Sequence, residues 1–322
     1  VYTQNLVCAA PVTVDRQRTP SDKIRAVCVN SGNANACTGQ RGMQDALTMA
    51  QLAASACGAG ADQALVMSTG IIGVFLPMDK IAAGIRAAAA RLGSDEASFL
   101  LAARGITTTD KSHKIAGRTL EVGGRTIRLA GMCKGAGMIG PRMATMLAVV
   151  LTDAALTVAD AQASLTAAVE DSFNCISVEG HMSTNDTLLL LASGAACEGP
   201  LAGADLVRFQ EALREVCIEL AKQIPDDGEG ATHLVTIDVQ GTATRDDAFR
   251  IAKTVAESAL VKTAIAGGDP NWGRIVSAAG YAGVPFDPAR VSLHVNGTQL
   301  YQDGTPVPFD AASVSRSIRA NR

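Results

Sequence analysis

Aromatic residues make up only 3% of this 322-residue chain: one Trp, three Tyr and seven Phe. So few flat side chains offer no platform for stacked nucleic-acid bases. Basic charge is not in excess either, since 28 Lys and Arg stand against 31 Asp and Glu, a formal net charge of -3 spread along the chain. A phosphate backbone meets no electrostatic stripe here, so small metabolites are the expected partners and nucleic acid is not. No segment approaches the roughly 20 uninterrupted apolar residues of a membrane span, and no membrane partner is expected. The opening VYTQNLVCAAPVTVDRQ lacks a basic patch leading into an apolar run, which argues against a secretory signal and for the cytoplasm. The eight cysteines (Cys8, Cys28, Cys37, Cys57, Cys133, Cys175, Cys197 and Cys217) form no C-x-x-C and have no His at ligand spacing. That excludes a structural zinc site; no metal is expected, and the thiols read as small core residues in a reducing compartment.

What is present is apolar and periodic. Hydrophobic residues reach 48%, enough for a large core. IRAVCVN (24–30) and ALVMSTG (64–70) read as strands, alternating with the Ala-rich helices QDALTMAQLAASA (44–56) and DKIAAGIRAAAARL (79–92). HKIAGRTLEVGGRTIRLAGM (113–132) has two β-prone runs around Gly123-Gly124, a hairpin signal. LAVVLTDA (147–154) is short, apolar and β-branched, as expected of a mid-sheet strand buried on both faces. Helices are expected over 158–173, 204–224 and 246–265, with a strand at HLVTIDVQG (233–241) between the last two. The fold class is therefore α/β, or α+β layered, with no repeat or linker marking a domain boundary.

Two glycine-rich segments mimic nucleotide sites and fail on chemistry. Gly135-Ala-Gly137-Met-Ile-Gly140 matches G-x-G-x-x-G, but Pro141 and a β-prone continuation replace the required helix. In Gly268-Asp-Pro-Asn-Trp-Gly273-Arg274-Ile275, Arg and Ile stand where a phosphate loop needs Lys and Ser or Thr. SGNANACTG (31–39) is dense in turn formers and reads as a tight turn bonded by its own side chains.

The informative segment is Lys134-Gly-Ala-Gly-Met-Ile-Gly-Pro-Arg-Met143-Ala144-Thr145-Met146-Leu147, a Gly/Pro lead-in that delivers Thr145 to the start of a buried strand. Were the Ala144–Thr145 bond cut, Thr145 would hold both a hydroxyl nucleophile and a free α-amine. Such an amine has a reference pKa of roughly 7.7–8.0 and can act as the nucleophile's own base near neutral pH. An ordinary buried Thr is the bland alternative.

KGAGMIGPRMATMLAVVLTDA resembles the cleavage region of the ornithine acetyltransferase (glutamate N-acetyltransferase) family. SGNANACTG (31–39), STGIIGVFLPMDKI (68–81), GITTTDKSHK (105–114), SFNCISVEGHMSTNDTLLLLA (172–192), DGEGATHLVTIDV (227–239) and GGDPNWGRI (267–275) are similar to its other blocks, in its order. The resemblance implies an N-terminal-nucleophile peptidase-like α/β fold, made as a precursor that cuts itself into an α portion, 1–144, and a β portion, 145–322. It implies one intertwined catalytic unit, a heterotetramer of two α and two β chains, and a place in arginine biosynthesis. The implied reaction is ping-pong: Thr145 takes acetyl from N-acetylornithine and hands it to glutamate. No cofactor is implied beyond acetyl-coenzyme A as a second acetyl donor, which would make the enzyme multifunctional.

The same resemblance implies that Thr69 and Gly70 form the oxyanion hole and that Thr108, Lys134 and Glu229 contact substrate beside Thr145. Without it, these residues read as a strand-end turn, strand filler, a solvated lysine and a turn carboxylate. The chain departs from the family's usual residues at Gly140-Pro141, Lys111-Ser112-His113-Lys114, His181 and His233, and has Arg142 at a position that varies. It is also expected to lack the family's N-terminal extension and a C-terminal stretch that adds an Asn and a Ser or Thr to the pocket. The competing expectations are an amidohydrolase or aminopeptidase using the same Thr145, and a non-catalytic fragment.

Overall fold

The computed structural model describes residues 1–140 and 146–320, so the candidate nucleophile Thr145 and Ala144 lie outside the described residues. Internal packing divides the chain after Glu229 into two compact units.

In the first unit, β1 (Ala26–Asn33) and β2 (Ala64–Ile71) form a parallel pair. The helices α1 (Ala10–Arg18), α2 (Gly39–Ala56) and α3 (Met78–Ala89) lie on one face of it, and α4 (Glu96–Gly105) follows them in the chain. A second sheet orders β3 (Lys114–Val122), β4 (Arg125–Lys134), β5 (Leu147–Thr152) and β6 (Thr187–Ala192), antiparallel twice and then parallel between β5 and β6. The hairpin expected at Gly123-Gly124 joins β3 to β4, with φ of 58° and 76° there, as a tight two-residue loop requires.

Strand periodicity sets the layers. On β2, Ala64 and Val66 join the core under α2, while Leu65 and Met67 face the other way. There they meet Met132, Leu147, Val149 and Leu189 of the second sheet. The alternate residues Cys133, Ala148, Val150 and Leu188 turn to the far side, under α5 (Val158–Glu170) and α6 (Gly203–Asp226). Two sheets thus pack face to face between two helical layers, an α-β-β-α stack. β5 is buried on both faces and lies mid-sheet, as its apolar run predicts. α6 seals the outer layer through Phe209, Leu213, Val216, Leu220 and Ile224, whose spacings of three and four put them on one helical face.

The second unit holds α7 (Arg245–Glu257), α8 (Ala259–Gly267), α9 (Trp272–Gly280), the small antiparallel sheet of β7 (Leu293–Val295), β8 (Thr298–Gln302) and β9 (Thr305–Pro306), and α10 (Ala311–Ala320). Trp272 stacks on Tyr301 at 4.8 Å between ring centroids.

Three expectations need correction. Residues 233–241 form no strand, because among the described residues no neighbour completes their ladder and Val235 is exposed. The helix expected over 246–265 is two, broken at Ser258, whose extended backbone and hydroxyl, accepting the Val261 N–H, start α8 afresh. The cysteines are not uniformly core residues: Cys133 and Cys217 are buried, but Cys37, Cys57 and Cys175 are exposed. Among the described residues no helix is long and apolar enough to cross a membrane.

Candidate active site

The parallel register of β1 and β2 sets Ser31 beside Thr69 and Gly32 beside Gly70, so SGNANACTG and STG form one wall where both strands end. The first block is the self-bonded turn its composition predicts: the Thr38 hydroxyl donates to Asn35 Oδ1 at 2.8 Å and Asn35 Nδ2 to the Gly42 carbonyl at 2.9 Å. Asn185 Nδ2 spans to the Ser68 and Ala34 carbonyls at 2.8 and 2.7 Å and locks this wall to the start of β6. Gly70 takes φ of 131°, and a Cβ there would stand 2.2 Å from the Gly32 carbonyl carbon. Only glycine fits.

Opposite this wall, β4 ends at Lys134. Lys134 is 3% exposed, and its ammonium donates to Thr69 Oγ1 at 3.1 Å. Lys134 is therefore no solvated surface charge, and Thr69, itself 2% exposed, is no plain strand end. Burial pulls the Lys134 pKa down; the carboxylates of Asp110, Asp186 and Glu229 oppose that, and the Lys114 charge adds to it. Thr69 Oγ1 accepts from Lys134 and, among the described residues, donates to no acceptor, which leaves its proton available.

Thr108 and Glu229 reach the same place through other residues. The Thr108 N–H donates to Asp110 Oδ2 at 3.0 Å, and Asp110 Oδ1 accepts the Gly135 N–H at 2.7 Å, one residue past Lys134. Glu229 bonds its N–H to the Ala136 carbonyl at 2.8 Å and accepts the Thr109 hydroxyl on Oε1 at 2.6 Å. Its carboxyl lies over the glycine loop, so a Cβ on Gly137 would stand 2.7 Å from it. The structure thus gathers Thr69, Gly70, Thr108, Lys134 and Glu229 around the end of β4.

Sequence reasoning missed four residues: Asp110, Lys114, Asp227 and Asp186. Lys114, 1% exposed, donates to Asp110 Oδ1 at 2.7 Å and Asp227 Oδ2 at 2.6 Å. Asp186 is wholly buried; its Oδ1 accepts the Met146 N–H at 3.0 Å, one residue past the candidate nucleophile. Burial raises its pKa to about 8 against the Met146 bond and the nearby Lys134 charge. All four stand within blocks that carry the family resemblance, and that was the available signal.

The four-layer α/β frame brings a buried ammonium and a hydroxyl together at its strand ends, a polarised donor pair of the kind an acyl-transfer enzyme uses. The sequence pattern of the ArgJ family matches residues 1–322, and the chain belongs to that family. It is 51% identical over 324 residues to the arginine biosynthesis bifunctional protein ArgJ of Rhodopirellula baltica, covering 100% of this chain and 79% of that protein. Its identity to the protein of the same description from Symbiobacterium thermophilum is 50%, over 99% of this chain and 79% of the other. The crystal structure of the ArgJ protein of Bacillus halodurans shares the fold at a TM-score of 0.52 and 37% identity, over 53% of this chain and 81% of that one.

Proposed function

We propose that this chain is an acyltransferase of arginine biosynthesis that moves acetyl from N2-acetyl-L-ornithine to L-glutamate, by way of Thr145 freed through self-cleavage at Ala144–Thr145. In the forward half, the Thr145 hydroxyl attacks the acetyl carbonyl while the Thr145 α-amine takes its proton. The C–N bond then breaks, that proton passes to the departing ornithine amine, and an acetyl ester stays on Thr145. The glutamate amine repeats the attack, and acetylglutamate leaves as the Thr145 hydroxyl is restored.

The observation that carries this reading is the buried contact between Lys134 Nζ and Thr69 Oγ1. A hydroxyl whose lone pair is held by an ammonium is a polarised donor, suited to the oxyanion of a tetrahedral intermediate together with the Gly70 N–H. Glu229 and Thr108 supply contacts for the amino-acid part of the substrate. Acetyl-coenzyme A would be a second donor to the same hydroxyl, the word "bifunctional" in the relatives' name supporting that extension. We place the enzyme in the cytoplasm, as paired α and β fragments assembling two by two.

Intact-mass spectrometry tests the reading. Two species, 1–144 and 145–322, are expected from the purified protein, and a single uncut chain from Thr145→Ala. N-acetylornithine should add one acetyl to the 145–322 species, and glutamate should remove it as acetylglutamate. Free acetate in place of acetylglutamate would mean a hydrolase, and cleavage persisting in Thr145→Ala would overturn the nucleophile.

A further inference from the structure

Lys114 is 1% exposed, and its three N–H groups meet three acceptors: Asp110 Oδ1 at 2.7 Å, Asp227 Oδ2 at 2.6 Å and the Ser112 carbonyl at 3.4 Å. Burying a charge is costly, and hydrophobic residues of similar volume commonly serve stability as well as a buried ion pair does. A fold that needed only to close this corner has no use for three ionised groups. Their other bonds say what they do.

Asp110 Oδ2 takes the N–H of Thr108, while Oδ1 takes that of Gly135, next to Lys134. Asp227 Oδ2 takes the N–H of Lys111 at 3.0 Å and stands two residues before Glu229. Thr108, Lys134 and Glu229 lie on a loop, a strand end and the segment after α6, and the Glu229 bonds to the Thr109 hydroxyl and the Ala136 carbonyl touch all three. Among the described residues, the ion pairs of Lys114 join the loop at Asp110 to Asp227 ahead of Glu229, and Asp110 in turn holds the Gly135 N–H beside Lys134.

We propose that Asp110, Lys114 and Asp227 act as one positioning unit, with Lys114 the pin that holds the three substrate-contact residues in a common geometry and sets the charge around Lys134. This rests on the acetyl-transfer reading above and adds residues to it. The charged groups facing Lys134 are Asp110 from the loop, Lys114 from β3, Asp186 from the start of β6 and Glu229 beyond α6. Asp110 favours the ammonium form of Lys134 and Lys114 opposes it. The unit therefore predicts effects of opposite sign from its two halves.

The test compares Asp110→Asn with the double variant Lys114→Met/Asp227→Asn, which removes one charge of each sign and leaves net charge unchanged. Acetyl exchange between N-acetylornithine and glutamate is followed from pH 6 to 11 beside wild type, with melting temperature checking the fold. Displacing a contact by about 1 Å costs up to roughly 10²-fold, so kcat/KM should fall by about that factor in both variants. The alkaline limb of the profile should move to lower pH in Asp110→Asn and to higher pH in the double variant. A purely structural role would lower melting temperature without separating the two limbs, and would overturn the proposal. So would kcat/KM within about threefold of wild type, far short of that penalty, in both folded variants. If Asp110→Asn does not fold, the double variant alone still carries the sign test. Wild type without any exchange would overturn the acetyl-transfer reading and this proposal with it, whereas an active wild type beside unaffected variants overturns the proposal alone.

Discussion

Replacing Thr69 by Ala removes one hydroxyl that stands in two relationships. As an acceptor it holds Lys134 Nζ at 3.1 Å, and as a donor it has no partner among the described residues. The first relationship concerns stability: a buried polar group that loses its partner costs about 1–3 kcal/mol, so the melting temperature should drop. The second concerns turnover. Negative charge gathers on one oxygen in the tetrahedral state, and a fixed donor stabilises that state more than the bound substrate. Loss of one such donor costs roughly 10²–10³ in kcat, or about 2.7–4 kcal/mol. Thr69→Ser retains the hydroxyl and should keep kcat within about one order of magnitude of wild type, on the same accounting. The assay is exchange of acetyl from N-acetylornithine to isotopically labelled glutamate, with kcat and KM measured on samples already cleaved, since the same hole could serve the cleavage step. Thr69→Ala with lowered melting temperature but kcat within about threefold of wild type, well under the donor penalty, would refute the oxyanion assignment and leave Thr69 only its bond to Lys134.

Gly70→Ala meets a backbone wall rather than a movable side chain, because the new Cβ would stand 2.5 Å from Asn33 N as well as on the Gly32 carbonyl. A non-glycine residue held in such a region costs at least about 1–3 kcal/mol before any clash, which a lowered urea midpoint would register; an unchanged midpoint would contradict the geometry. Asp15 on α1 is wholly buried with Oδ1 on the Val66 N–H, and burial raises its pKa to about 8. An unfolded chain ionises this carboxyl near pH 4 while the native chain resists, so its contribution makes stability fall as pH rises from about 4 to about 8. Asp15→Asn should match wild type at pH 4 and exceed it by a few kcal/mol at pH 8 in denaturant titrations, whereas a constant difference across pH would contradict the linkage.

Where the site was legible, it was so because chemistry sits in short contiguous blocks. Thr69, Gly70, Lys134 and Glu229 stood out only because the blocks that hold them resemble a known family; taken alone they read as a strand-end turn, a solvated lysine and a turn carboxylate. What could not be read locally is burial and pairing across distance. Lys134 as a bare sequence position reads as a surface lysine, and only the packing of β4 against the wall of β1 and β2 makes it a buried donor. The Asp110–Lys114–Asp227 unit has the same character, since its halves lie 113 residues apart and no pattern in either names the other.

The sequence by itself determined the strands β1 to β5, the helices α2, α3, α5 and α6 and the hairpin at Gly123-Gly124, because period-two and period-3.6 burial and positive φ are written residue by residue; β6, α1 and α4 emerged only in the structure. It did not determine that 233–241 stays out of a sheet or that residues 245–267 break at Ser258. A strand exists only where a neighbour completes its ladder, and a helix continues only where no better cap interrupts it. Tertiary structure alone decided the face-to-face packing of the two sheets, and through it the meeting of Thr69 with Lys134. That contact joins strand ends 65 residues apart, and only the closing of a shared core could pay for burying its charge.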